Sequence, residues 1–341
     1  MDLVRAIDVL VANRNLTCDE MEDVITTIMQ GNATPAQIGA FLVALRVKGE
    51  TVEEITAAAK VVRRFAAKVV INSGNVLDIV GTGGDGAGLF NVSTASSLVA
   101  AGAGAIIAKH GNRAVTGKSG SADLLEAGGV NINLTASEVE KTIKSVGIGY
   151  MFAPAHHGAF KHLVGPRQEI GIRTMFNLLG PLTNPAGAKS QLVGVFHRKW
   201  VRPIAEVFKS LGSIHTVVVH SHDGLDEISI AAPTNVSELK NGRILDYQIS
   251  PIDFGFNLQS IEDLRVESVA ASFSLVKNAL MGAQGPAYDM IALNAGAAIY
   301  ACDLVTALDA GVKKACEILD AGYGFKKLNE LATFTQRFSA D

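Results

Sequence analysis

The chain has 341 residues, 48% hydrophobic and 18% charged, too long for a minimal binding module and too apolar for a disordered chain. With 30 Lys and Arg against 33 Asp and Glu, the formal charge of −3 excludes the broad basic surface of a protein that coats nucleic acid. Glycine is in excess, 34 residues beside only 9 prolines and with no three-residue period, so it belongs to turns and close backbone approaches rather than to collagen or a linker.

The elements follow in chain order. Capping boxes at Thr17 to Glu20 and Thr51 to Glu54, and Thr34 before Pro35, predict helix starts, so residues 1–70 read as a small helical domain. After Ser73 and Gly74 short β-branched runs alternate with helical stretches. Strands are predicted at Val76 to Val80, Ala105 to Ala108, Gln191 to Val195 and Thr216 to Val219, and helices at Ser137 to Val146 and Val201 to Leu211. That alternation predicts an α/β domain over 71–341 with a mostly parallel central sheet. Helices are expected at Ala297 to Leu304, Val312 to Leu319 and Lys326 to Phe338. The longest near-apolar stretch, Leu98 to Ala108, is too short to cross a bilayer. Met1-Asp2-Leu3-Val4-Arg5 has no signal-peptide pattern, and the three cysteines form no C-x-x-C pair, so a cytoplasmic protein without membrane attachment is expected.

The first strand runs into Gly81-Thr82-Gly83-Gly84-Asp85-Gly86, which satisfies the dinucleotide pattern G-x-G-x-x-G. A dinucleotide site also needs an acidic residue about 20 positions on for the ribose. None is present from Gly86 through Ala122, a stretch that instead carries Lys109, Arg113 and Lys118. An anionic ligand suits this segment better. Glycines admit phosphate oxygens to backbone N–H groups, and Asn91, Ser93 and Thr94 stand where the next helix begins, able to cap it and to bind an anion. Asp85, repulsive toward phosphate, points to a sugar hydroxyl or a metal-bound water, hence to a phosphorylated sugar with a divalent cation. A second basic loop, Lys109-His110-Gly111-Asn112-Arg113 and on through Thr116, Gly117, Lys118 and Ser121, reads as a lid over the same ligand. A third group, His220-Ser221-His222 followed by Asp226-Glu227, leaves two readings open: zinc on the histidines, or magnesium on the carboxylates.

Together, Gly81-Thr82-Gly83-Gly84-Asp85, Asn91-Val92-Ser93-Thr94, Lys109-His110-Gly111-Asn112-Arg113, the segment Phe176 to Pro185 (FNLLGPLTNP) and Asp226-Glu227 resemble the anthranilate phosphoribosyltransferase family. The resemblance implies a nucleoside-phosphorylase-like fold, with a segment near 165–185 returning to the helical domain. It further implies a homodimer formed through that domain, and it leaves association with anthranilate synthase open. The implied reaction passes the phosphoribosyl group of phosphoribosyl diphosphate to anthranilate, with Mg2+. By motif, Gly81, Gly84, Asp85, Asn91, Ser93, Thr94, Lys109, His110, Gly111, Arg113, Gly117 and Ser121 fall to the donor site. Asn112, His157 and Arg167 fall to the acceptor, and Ser93, Asp226 and Glu227 to the metal; Lys109 and Asp85 are the implied catalytic pair. Arg167, in Val164-Gly165-Pro166-Arg167, is expected at a turn before a helix. Two departures from the family pattern, Leu89 and Thr116-Gly117, touch the diphosphate side.

Overall fold

The computed structural model describes residues 1–72, 74–114 and 117–338. Helices α1 (Leu3–Val11), α2 (Cys18–Met29), α3 (Pro35–Lys48) and α4 (Val52–Phe65) come first, and Thr17, Thr34 and Thr51 each form a complete capping box. There follow β1 (Val76–Gly81), α5 (Val92–Gly102), β2 (Ile106–Gly111), α6 (Ser121–Ala127), α7 (Ala136–Val146) and β3 (Ile148–Phe152). The chain then leaves the sheet through α8 (Ala153–His156), α9 (Lys161–Ile170) and α10 (Phe176–Leu182) before β4 (Ser190–Gly194), α11 (Val201–Ser210) and β5 (His215–Ser221). A hairpin, β6 (Thr234–Lys240) and β7 (Arg243–Ile249), precedes α12 (Val269–Leu280), α13 (Pro286–Ala301), α14 (Leu308–Asp320) and α15 (Tyr323–Thr335).

Among the described residues the strands form one sheet in the order β3-β2-β1-β4-β5-β6-β7. β1 to β5 are parallel, and β6 and β7 extend the sheet antiparallel. The fold class is the one read from the sequence, apart from this edge hairpin, whose β7 faces solvent on most positions and so lacks a continuous apolar run. From the centre the chain winds outward through β2 to β3, then returns to lay β4 on the other side of β1. The reversal makes a topological switch point at the carboxyl ends of β1 and β4, where ligands of open parallel sheets bind.

One apolar cluster joins α5, α13, α14 and α15 to one face of the sheet. A second runs through α1 to α4, takes in Leu163, Met175, Phe176 and Leu178 from the α9–α10 segment, and continues to Trp200, Phe208 and Val193. The helical layer therefore shares its core with α11 and the other sheet face. Helix α13 corrects the sequence reading, since it starts at Pro286 rather than near Ala297. Nearly every position from Met290 to Ala301 is buried, so the helix has no polar stripe to reveal its period.

Candidate active site

At the switch point the glycine turn is tied to the loop after β5. Thr82 N–H donates to the Gly194 carbonyl at 2.9 Å, and Gly83 N–H donates to Asp226 Oδ2 at 2.7 Å. Gly194 is glycine for a steric reason: a Cβ there would lie 1.5 Å from the Asp226 carbonyl oxygen. Gly83 has φ +65°, which lets its N–H turn toward the carboxylate. Asp85 shapes the turn by accepting from Ala87 N–H at 3.1 Å. Leu89 packs its side chain on the core and bridges Arg265 by its backbone.

Beneath the turn lies Lys109, buried on β2, whose Nζ donates to the Ile79 carbonyl at 2.6 Å and to Ser93 Oγ at 3.4 Å. Burial pulls its ammonium down to about 8, while Asp78 and Glu227 favour the charge. Burial and the nearby Asp85 push the Asp226 carboxyl well up. Burial, Asp226 and Asp85 do the same to Glu227, against the pull of Lys109. Carboxylates so crowded, and shielded from water in part, favour a bound cation. Among the described residues no three His, Cys, Asp or Glu converge closely enough to hold a metal alone.

The basic loop is less cationic than its sequence suggests. Arg113 pairs with Asp123 at 2.9 Å and with Glu126 at 2.5 and 2.8 Å, residues lying just beyond the acid-free stretch. Its charge is neutralised by the helix that follows the loop. Asn112 is exposed, and its Oδ1 accepts from Arg113 N–H at 2.7 Å. Ser121 opens α6 and bonds the Asn112 carbonyl at 3.1 Å and the Tyr150 hydroxyl at 2.9 Å, packed beside Gly111. Gly117 is exposed, whereas Thr116 lies outside the described residues. Asn91 stands at the cap position of α5 but its side chain does not cap it. Its Oδ1 accepts from Ser119 Oγ at 2.6 Å and Ser272 Oγ at 2.7 Å, joining the loop to α12. Thr94 is buried, and among the described residues its hydroxyl has no partner.

A row of rings leads from β2 toward the helical layer. His110 and His157 lie 5.0 Å apart, His157 and Phe160 5.5 Å, and Phe160 and Phe176 5.7 Å, between ring centres. The Arg167 guanidinium closes the row, 5.9 Å from the Phe176 ring centre. Arg167 belongs to the last turn of α9, a correction of the expected turn before a helix: Pro166 sits inside that helix and Gly171, at φ +66°, ends it. Burial lowers Arg167 too. His110 is pulled down to about 3 by burial, with His157 and His156 adding to it, and burial with His156 takes His157 to about 4. Both imidazoles are neutral near pH 7.

Asp78, absent from the sequence reading, anchors these parts. It is fully buried in β1, accepts from His110 N–H at 3.1 Å and takes Asn184 Nδ2 at 2.7 Å. Burial raises it to about 6, against Lys109 and these hydrogen bonds. A charge inside an apolar strand run was the available signal. The geometry does not support zinc on the histidine pair: His220 bonds the Val195 carbonyl at 2.8 Å, while His222 bonds Gln248 at 2.7 Å and Asn235 at 3.3 Å.

Residues 4–66 match the helical bundle domain, and residues 73–325 the a/b domain, of the glycosyl transferase family. The chain is 56% identical over 340 residues to anthranilate phosphoribosyltransferase of Marinomonas sp. (strain MWYL1), covering 99% of this chain and 98% of that one. It is 52% identical over 340 residues to the anthranilate phosphoribosyltransferase of Methylococcus capsulatus, covering 100% of both. Among solved structures, anthranilate phosphoribosyltransferase from Thermus thermophilus superposes with a TM-score of 0.92 at 38% identity, over 97% of this chain and 99% of that one. The Saccharomyces cerevisiae enzyme in complex with PRPP and Mg gives 0.89 at 28% identity, over 98% of each.

Proposed function

The chain belongs to the anthranilate phosphoribosyltransferase family, and from that premise we propose how its residues divide the transfer of the phosphoribosyl group from phosphoribosyl diphosphate to anthranilate in tryptophan biosynthesis. The observation that carries the division is the switch-point site itself. A glycine turn, a buried lysine and the adjacent carboxylates of Asp226 and Glu227 stand on the β1 side, and a row of rings ending in Arg167 stands on the other.

On the donor side, the turn at Gly81, Gly84 and Asp85, with Ser93 and Thr94 at the head of α5, would hold the diphosphate and ribose. Thr94 supports this with a buried hydroxyl that has no partner among the described residues. Asp226, Glu227 and Ser93 suit Mg2+, which keeps water and phosphate oxygens in its shell and needs few protein ligands. When bound there, the ion supplies positive charge to the diphosphate oxygens. Lys109 adds a fixed cation beneath the turn, stabilising charge that grows on the departing diphosphate as the anomeric carbon becomes oxocarbenium-like.

On the acceptor side, Arg167 would pair with the anthranilate carboxylate, and neutral His110 and His157 would line the aromatic ring without repelling the amine. An aromatic amine is unprotonated near pH 7, so the attack requires no strong base and rests on orientation. Asn91, Asn112 and Ser121, bonded within the loop or to its supports, and Arg113, paired with carboxylates, would reach ligand only by exchanging those partners.

The division into 1–70 and 71–341, with 165–185 returning to the helices, is supported by the apolar cluster that α9 and α10 share with α1 to α4. A homodimer through the helical domain is supported by Val4 and Val11 on one face of α1 and Val43 and Val47 on one face of α3, 57%, 73%, 37% and 81% exposed. A cytoplasmic setting agrees with exposed, unpaired Cys18. The test is the loss of anthranilate fluorescence with phosphoribosyl diphosphate and magnesium both present. Folded protein that leaves the fluorescence unchanged would sink the reading. Light scattering of the wild type and Val47→Glu reads the dimer.

A further inference from the structure

The last turn of α9 carries Arg167 toward the acceptor wall, and the connector to α10 carries, two residues past Gly171, a second arginine toward the opposite side of the site. Arg173 crosses to the glycine turn, where its Nη2 donates to the Gly84 carbonyl oxygen. Its guanidinium lies over the Phe196 ring, 4.8 Å from the ring centre. Phe196 is held twice, its N–H donating to Thr82 Oγ1 at 2.9 Å and its side chain packing against the apolar cluster of the helical layer. A Cβ added to Gly84 would sit 3.4 Å from Arg173 Nε, so the arginine lies directly against the turn.

Among the described residues no carboxylate pairs with Arg173, in contrast to Arg113 of the basic loop. A guanidinium has five N–H donors in a planar fork, and one is used here. The others remain at the mouth of the turn, and stacking on an anchored ring reduces the freedom lost when they engage an anion. Leu89 offers no hydroxyl to that same turn, which increases the weight of a cation beside it.

We propose that Arg173 is a donor-binding residue, contacting the phosphate oxygens of phosphoribosyl diphosphate at the Gly84 side of the turn and joining the end of the acceptor-bearing helix to the donor site. The proposal rests on the donor site argued above. Because Arg167 ends α9 and Arg173 follows it six residues on in the connector to α10, occupation of either site restrains the segment that serves the other.

The test is steady-state kinetics and calorimetric binding of phosphoribosyl diphosphate, with magnesium, to the full-length wild type, Arg173→Ala and Arg173→Lys. Loss of a charge-assisted contact to phosphate should raise both the KM and the Kd for the donor by about tenfold in Arg173→Ala. The KM for anthranilate should stay within about twofold, and Arg173→Lys should recover part of the loss because charge survives without the fork. The side chain is exposed, so the melting temperature should hold. Unchanged donor Kd in Arg173→Ala, or a rise confined to anthranilate, overturns the proposal. Wild-type protein that binds donor but does not turn over would overturn the reaction and leave the Arg173 comparison readable by calorimetry. Wild type that binds no donor overturns both.

Discussion

Gly83 N–H donates to Asp226 Oδ2 at 2.7 Å, so the turn after the first strand and the loop after the fifth form one unit although 143 residues separate them. The contact depends on backbone lying against backbone. Gly194, at the end of β4, leaves room for the Asp226 carbonyl where a Cβ would stand 1.5 Å away. Gly194→Ala must therefore push the Asp226 loop out or distort β4. The expected cost is about 1–3 kcal/mol or more in urea unfolding, together with a larger loss of activity than of stability. A variant with unchanged unfolding and full activity would show that the two segments do not meet this closely.

Buried Asp226 and half-buried Glu227 lie beside Asp85 with one compensating cation, Lys109, near Glu227. Asp226→Asn keeps the shape and the hydrogen bond from Gly83 while removing one charge. It should raise the magnesium concentration needed for half-maximal rate by about tenfold. It should not lower the melting temperature, because one carboxylate fewer relieves repulsion. Magnesium titrations of the two proteins decide the point, and an unchanged requirement removes Asp226 from the metal site.

Arg167 is half-buried at the end of a row of rings, its charge held over Phe176. Losing a charge-assisted hydrogen bond to a carboxylate costs about 1.5–3 kcal/mol, so Arg167→Ala should raise the KM for anthranilate by roughly tenfold to a hundredfold. The KM for phosphoribosyl diphosphate should be nearly unaffected. The opposite split would place this guanidinium on the donor side.

Much of this site was legible because its residues announce themselves locally. Three capping boxes start helices where Thr17, Thr34 and Thr51 stand. The run into Gly81 is a strand because its β-branched residues fit a sheet covered on both faces. Contacts between distant segments were not legible. Asp78 and Asn184 are 106 residues apart, and nothing in either neighbourhood announces their 2.7 Å hydrogen bond. The same holds for Arg173 and Gly84. Arg113 misled for a related reason: the acid-free stretch ends one residue before Asp123, which folds back to neutralise it. Local charge counts along a chain cannot see partners that a helical turn brings around.

The neutral histidines carry a pH consequence whose sign follows from their burial. His110 and His157 fall from 6.5 to about 3 and about 4 in the folded chain, so below 6.5 the unfolded chain takes up protons that the folded chain does not. Their contribution is fully present above 6.5 and is lost progressively as pH falls toward those folded values. Each histidine should remove about 1.4 kcal/mol per pH unit within that window. Chemical unfolding of the wild type from pH 7.5 to 4.5 should therefore show stability falling with acid. A His110→Asn, His157→Asn double variant, less stable at pH 7.5, should show a shallower fall. Parallel slopes in the two proteins would mean that these imidazoles take up protons alike in the folded and unfolded chains, and would overturn burial as what holds them neutral.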